Sequence, residues 1–234
     1  MSSKVITGAA PAKKFNVKKM TILAMFAALG YLCLFVFRFK VSFLTLEFKD
    51  VFITMAGFVF GPLAAAGVAL VESLLEMVTL SDTGFWGALM NFAGSATFAV
   101  TASLIYKYNK SFKGAVMGLA AAVFAMTAVM IVMNLLITPI YAHCDTKTVV
   151  GMIVPLLLPF NLIKSVLNAA ITFMLYKPLS QALKAIHLLP AHEDGFQINK
   201  KSVIGLAVAA VVIVASILLV VLVFKGNFEI VRSK

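Results

Sequence analysis

The chain has 234 residues, of which 62% are hydrophobic and 12% charged, with a mean hydropathy of +1.03 and a net charge of +11. Soluble domains average roughly 45–50% apolar and about 25% charged, so this composition excludes a water-soluble globule and a disordered chain alike. The apolar runs are continuous, not alternating, which disfavours a transmembrane barrel and leaves an all-α, multi-pass membrane protein.

The first 19 residues are polar and basic. Residues 20–37 form the first apolar run; it ends without a small-residue cleavage site and reads as a retained span, not a removable signal. A polar loop follows over residues 38–49. Residues 51–80 are apolar but interrupted by Gly61-Pro62, and further runs cover 85–106, 114–141, 149–176 and 203–224. Each of these four reaches the ~20 residues that cross a hydrocarbon core. Residues 185–202, with Pro190, His192, Glu193, Asp194 and Gly195, form the one polar linker.

Charge placement decides how residues 51–80 are threaded. With a turn at Gly61-Pro62 and the N-terminus inside, the cytoplasmic side holds twelve cations: Lys4, Lys13, Lys14, Lys18, Lys19, Lys107, Lys110, Lys113, Lys177, Lys184, Lys200 and Lys201. The outside holds seven: Arg38, Lys40, Lys49, Lys147, Lys225, Arg232 and Lys234. A single uninterrupted span reverses every later loop and removes the excess, against the positive-inside rule. Gly before Pro also suits a turn followed by a helix start. The expected organisation is a cytoplasmic segment 1–19, a six-helix membrane domain 20–184, a cytoplasmic linker 185–202, a seventh span 203–224 and an extracellular tail 225–234.

Catalytic patterns are missing from the sequence. There is no phosphate loop of the G-x-x-x-x-G-K-[ST] type, no H-E-x-x-H and no cysteine cluster. Cys33 and Cys144 lie far apart, and His143, His187 and His192 fall in loops or the linker. No enzyme, metal site or cofactor is expected. The cations flank spans, so nucleic acid is not an expected partner either.

Ionisable and amide groups within spans are costly, and so mark candidate function. Glu72 and Glu76 fall in the third span and Lys164 near the middle of the sixth. Asn161, Lys164 and Asn168 follow i, i+3, i+7 spacing and share one helix face. Asn134 and Thr138 in the fifth span, with Asn91 and Thr97 in the fourth, extend this to a pocket of amides and one cation between three helices. The alternative is that the amides only bond neighbouring helices, at roughly 0.6 kcal/mol each, with Glu72 and Glu76 as counter-ions of Lys164. Ala24 and Ala28 form A-x-x-x-A, which permits close approach of another helix, internal or foreign. Pro155 and Pro159 are expected to bend the sixth helix.

With these positions placed, the chain resembles the riboflavin-specific substrate-binding (S) components of energy-coupling factor (ECF) vitamin transporters. Residues Leu158-Pro159-Phe160-Asn161-Leu162-Ile163-Lys164 resemble that family's L-P-F-N-x-[IL]-K signature. Met133-Asn134 with Ile137-Thr138-Pro139-Ile140-Tyr141 is similar to the end of its fifth helix, and Asn91-Phe92-Ala93-Gly94 to its N-F-x-A-G stretch, one residue shorter. Phe60-Gly61-Pro62 is similar to its F-G-P turn. The stretch from Leu44 to Val51 resembles the first-loop pattern L-x-x-D-F-S-D-[IV]-P, with Glu47, Lys49 and Phe52 in place of Asp, Ser and Pro.

The resemblance covers roughly residues 15–184 and implies a six-helix bundle; the seventh helix is additional. It implies riboflavin as transported ligand, contacted by Asn134, Asn161, Lys164, Asn91 and Asn168 with Leu44 and Thr45 of the first loop. It also implies a membrane coupling subunit docking on Ala24 and Ala28, two cytoplasmic ATPases supplying energy, and a bacterial cell membrane as location. An S component for another vitamin, such as thiamine, is the near alternative, although a cationic thiazolium is a poor neighbour for Lys164. A membrane protein whose polar face only packs helices is the distant one.

Overall fold

The computed structural model describes residues 17–81, 83–185, 207–216, 218 and 228–230. The expected cytoplasmic segment up to residue 16, nearly all of the linker and much of the 203–224 span lie outside the described residues. Helix α1 (Val17–Val36) leads into a hairpin of β1 (Phe39–Val41) and β2 (Leu44–Leu46). Then come α2 (Lys49–Phe60), α3 (Pro62–Thr79), α4 (Gly84–Tyr108) and α5 (Phe112–Ala142). Helix α6 (Thr146–Met152), a π-turn (Ile153–Leu157) and α7 (Leu158–Ala185) form one continuous run. A shorter apolar helix, α8 (Ala207–Ser216), and a strand, β3 (Phe228–Ile230), complete the described chain.

Five of these stretches are long and apolar enough to cross a membrane: α1, α3, α4, α5 and the composite run Thr146–Tyr176. At 12 residues α2 is not, since ~1.5 Å per residue carries it only part of the way. It is instead enclosed by protein. Val51, Ile53, Met55 and Ala56 are all buried, and α1, α3, α4 and α7 pack around it. The chain reverses at Gly61, whose φ of 95° belongs to the region glycine occupies without penalty, and Pro62 opens α3 where no amide donor is needed. The break expected at Gly61-Pro62 is therefore present.

Lipid tails are as apolar as leucine, so the helices associate through close packing. The core suits that demand: Ala56, Ala65, Ala69, Ala99, Ala102 and Ala122 are fully enclosed beside Phe98, Ile53 and Met55. Gly118 of α5 lies so close to the Ala102 carbonyl of α4 that a Cβ there would fall 2.6 Å from the oxygen. Two buried hydroxyls are satisfied within their own helices: Ser103 donates to the Ala99 carbonyl at 2.6 Å and Thr127 to Val123 at 2.8 Å.

Three features add to the sequence reading. The molecule is mostly helical, and its first loop folds as a short hairpin, with Phe39 opposite Leu46 and Val41 opposite Leu44. β3 adds to its other edge, Phe39 opposite Ile230, giving the strand order β2-β1-β3. The spans also begin earlier than hydropathy placed them, as at Val17 and Lys49, because polar residues continue the helices beyond their apolar cores. Lastly, Pro155 widens the helix into a π-turn, which absorbs the missing amide donor.

Candidate ligand-binding site

A cavity of about 180 Å³ lies between the hairpin and the ends of α3, α4, α5 and α7. The hairpin supplies Phe43, Leu44 and Thr45; α4 supplies Met90 and Asn91; α5 supplies Met130 and Tyr141. Phe160, Asn161 and Lys164 come from α7, and Glu76 from α3. Arg38, Lys40 of β1, Ser81, Thr83 and Gly87 of α4 complete the wall. The wall therefore combines flat aromatic and thioether surfaces with amide, ammonium and carboxylate groups.

Helical spacing brings Asn161 and Lys164 to this wall, as their i, i+3 relation requires. Asn161 donates one amide hydrogen to the Leu157 carbonyl at 2.8 Å, leaving its Oδ1 and second N–H for other partners. Lys164 Nζ donates to the Thr45 carbonyl at 3.2 Å and to Glu47 Oε1 at 3.1 Å. It thus ties the hairpin to α7. Two of its three protons are engaged in that tie, and the third is left for the cavity.

Behind the wall runs a chain of buried charges. Lys49 Nζ is 3.2 Å from Glu47 Oε1 and bonds Glu76 Oε2 as well. Arg38 stands 3.9 Å from the other oxygen of Glu76 and donates to the Leu80 carbonyl at 2.7 Å. Burial alone would push the Glu47 carboxyl up; Lys164 and Lys49 outweigh it and hold it down at about 2. Its two ammonium partners thus favour the carboxylate form of Glu47.

The other expected residues distribute as follows. Asn91, Leu44 and Thr45 line the cavity. Asn168 lies behind it, donating to the Glu47 carbonyl at 3.1 Å and the Lys164 carbonyl at 3.0 Å. Asn134 is fully buried; it donates to Met130 at 2.7 Å and accepts from Thr138 at 2.9 Å, and Thr138 stands 3.5 Å from the Tyr141 hydroxyl. Both amides therefore brace wall residues. Thr97 is not part of the wall. Ala24 and Ala28 are exposed on α1, on the side facing away from the bundle core.

The alternative that made Glu72 and Glu76 counter-ions of Lys164 gives way to another pairing: Glu47 pairs with Lys164, and Glu76 pairs with Lys49. Glu72 has no hydrogen-bond partner for either oxygen among the described residues, and its carboxyl occupies the space that a Cβ on Gly30 would need. Lys49, counted by sequence among the external cations, is completely buried. Arg38, Tyr141 and Phe160 were not singled out either. The last two stand inside the quoted motif stretches, which was the available signal.

Fold and cavity together define a helical membrane protein with a cavity between its helices and a loop hairpin. The model for the family of ECF transporter substrate-specific components matches residues 18–176, and the chain belongs to that family. The riboflavin transporter RibU of Staphylococcus aureus is 33% identical over 188 residues, covering 74% of this chain and 98% of that protein. RibU of Streptococcus thermophilus is 27% identical, with coverages of 72% and 85%. The riboflavin transporter FmnP of Bacillus subtilis is 24% identical, with coverages of 74% and 99%. A solved structure of the S component of a bacterial ECF transporter superposes with a TM-score of 0.62 at 32% identity, covering 73% of this chain and 99% of its own.

Proposed function

We propose that the protein is the riboflavin-capturing subunit of an ECF transporter, taking the vitamin from outside for uptake driven by partner subunits. The observation that carries this is the pairing of Asn161 with Lys164 on a wall that also holds Phe43, Phe160 and Tyr141. An isoalloxazine presents two flat faces and a uracil-like edge of carbonyl acceptors around one N–H. Asn161 offers an acceptor and a donor side by side, Lys164 offers a donor and a positive charge, and aromatic rings suit the faces. Discrimination follows from the cost of leaving such buried groups unpaired, about 1–3 kcal/mol each. Arg38, Lys40 and Lys164 around one chamber disfavour a cationic ligand such as thiamine.

In this reading the hairpin side faces outward and the N-terminus lies inside, as the cation excess supports. Six spans form the binding domain, with α2 as a short, protein-enclosed one, and α8 belongs to a seventh. The pairing of β3 with β1 supports the odd count, since it puts the chain's end on the hairpin's side. The exposed Ala24 and Ala28 give α1 a smooth strip on which the membrane coupling subunit docks, with two cytoplasmic ATPases supplying energy. The subunit itself only binds.

The test is the visible spectrum of protein purified from riboflavin-supplemented cells. Flavin absorption bands at equimolar ratio are expected. A colourless protein that also leaves added riboflavin fluorescence unquenched, or that takes up thiamine instead, overturns the reading.

A further inference from the structure

Lys49 stands where the resembled first-loop pattern has Ser, two positions after Glu47, which stands where that pattern has Asp. Lys49 is completely buried and is absent from the cavity wall. Its ammonium joins two carboxylates from different elements, Glu47 at the end of the hairpin and Glu76 on α3. One of these pins Lys164; the other forms part of the wall.

We propose that Lys49 is a positioning residue for ligand capture: it neutralises Glu76 in the cavity wall and fixes Glu47 so that Glu47 holds Lys164 and the hairpin over the ligand. The ligand in this inference rests on the riboflavin reading; the geometry does not.

The argument is one of charge balance. Glu47 Oε1 accepts from Lys164 at 3.1 Å and Lys49 at 3.2 Å, so it serves two ammonium groups at once. Without Lys49, the one ion pair left to Glu76 among the described residues is the distant Arg38 contact at 3.9 Å. A buried carboxylate stripped of its partner is strongly unfavourable. Lys164 already pairs with Glu47 and also acts on Glu76, so it is drawn between the two carboxylates and its free proton turns away from the chamber. A bare carboxylate in the wall also repels the carbonyl edge of a flavin. The exchange of Asp for Glu and of Ser for Lys therefore reads as one paired change, a longer acid arriving with its own cation.

The experiment uses the full-length protein in detergent, with Lys49→Met, Lys49→Arg and Lys49→Met/Glu76→Gln. Hydrogen exchange at the amides of residues 44–46 reports the hairpin's hold on α7 without any ligand. Exchange stays slow in wild type and Lys49→Arg, and speeds up in Lys49→Met. Riboflavin affinity falls roughly tenfold or more in Lys49→Met, while Lys49→Arg and the double variant recover to within about threefold at pH 7.

A pH profile separates positioning from mere packing. The cations Lys164, Lys49 and Arg38 face this carboxylate group, and Asp50, Glu72 and Glu76 are the other carboxyl groups beside it. Losing Lys49 leaves Lys164 as the main opponent of burial, so the Glu47 carboxyl moves up. The double variant then loses riboflavin affinity on acidification from pH 7 toward 5, where wild type stays level.

Wild-type exchange and affinity in Lys49→Met overturn the proposal, as does a double variant that binds as poorly as Lys49→Met at pH 7. If Lys49→Met does not fold, the double variant decides, and a level pH profile in it is the overturning result. If wild type captures no riboflavin, the riboflavin reading fails on its own and the exchange experiment still decides the role of Lys49.

Discussion

Asn161 and Lys164 sit one turn apart on α7 yet do different work. Asn161 reaches the chamber only, with one N–H tied to its own helix. Lys164 reaches the chamber and also the hairpin, through Thr45 and Glu47. Asn161→Ala removes one paired amide and is expected to weaken riboflavin binding roughly tenfold, in keeping with about 1–3 kcal/mol for a hydrogen bond to a buried group. Lys164→Met removes a donor and releases the hairpin, and it leaves Glu47 with Lys49 alone, so its loss is the larger. Fluorescence titration measures both; equal or negligible losses contradict the division of labour. The sequence made Asn161 and Lys164 legible because helical spacing is a local property. It hid Glu47 and Lys49, since a charged loop next to an apolar run looks solvated until the hairpin folds inward over α7.

Helix α1 and the hairpin are the elements with surfaces still to be used. Ala24 and Ala28 are exposed while Ile22, Phe26 and Leu34 of the same helix are buried, so internal packing does not account for the alanine pair. Replacing Ala28 with Leu adds bulk at an exposed position of α1. Binding by the isolated protein is expected to remain within about twofold, since surface changes usually cost under 0.5 kcal/mol. ATP-driven uptake by the assembled transporter is expected to drop severalfold, because close helix approach tolerates little added volume. Lost binding in the isolated protein contradicts the assignment. At this scale hydropathy placed every long helix and the Gly61-Pro62 reversal. It missed β1 and β2, which are three residues each and too short to carry a period, and it misjudged helix ends because polar residues extend them at no cost to the apolar core.

As a whole, the molecule is a family-sized bundle with an appendage. The family match ends at residue 176, while α8 and β3 lie beyond it. The appendage returns to the hairpin: β3 pairs along the open edge of β1, and Ile213 of α8 packs with the cluster containing Leu44 and Leu46. A lone two-stranded hairpin is marginal in water, and a third strand steadies it. Deleting residues 203–234 should leave a folded protein that still binds riboflavin but releases it severalfold faster, as read by stopped-flow fluorescence. Unchanged release contradicts a steadying role. The apolar composition announced the appended helix, but no sequence pattern announced its return to the hairpin, because that contact is made between backbones.

Charge ties the three scales together. In the sequence most of the twenty cations flank apolar runs, whereas Lys164 and Lys49 lie inside, holding the hairpin to α7 and α3. The most direct test of this account is a titration of ligand-free protein with riboflavin, followed by quenching of flavin fluorescence, beside a parallel titration with thiamine. Saturable one-to-one quenching that survives a large excess of thiamine is the predicted result. No saturable quenching, or displacement of riboflavin by thiamine, would contradict it.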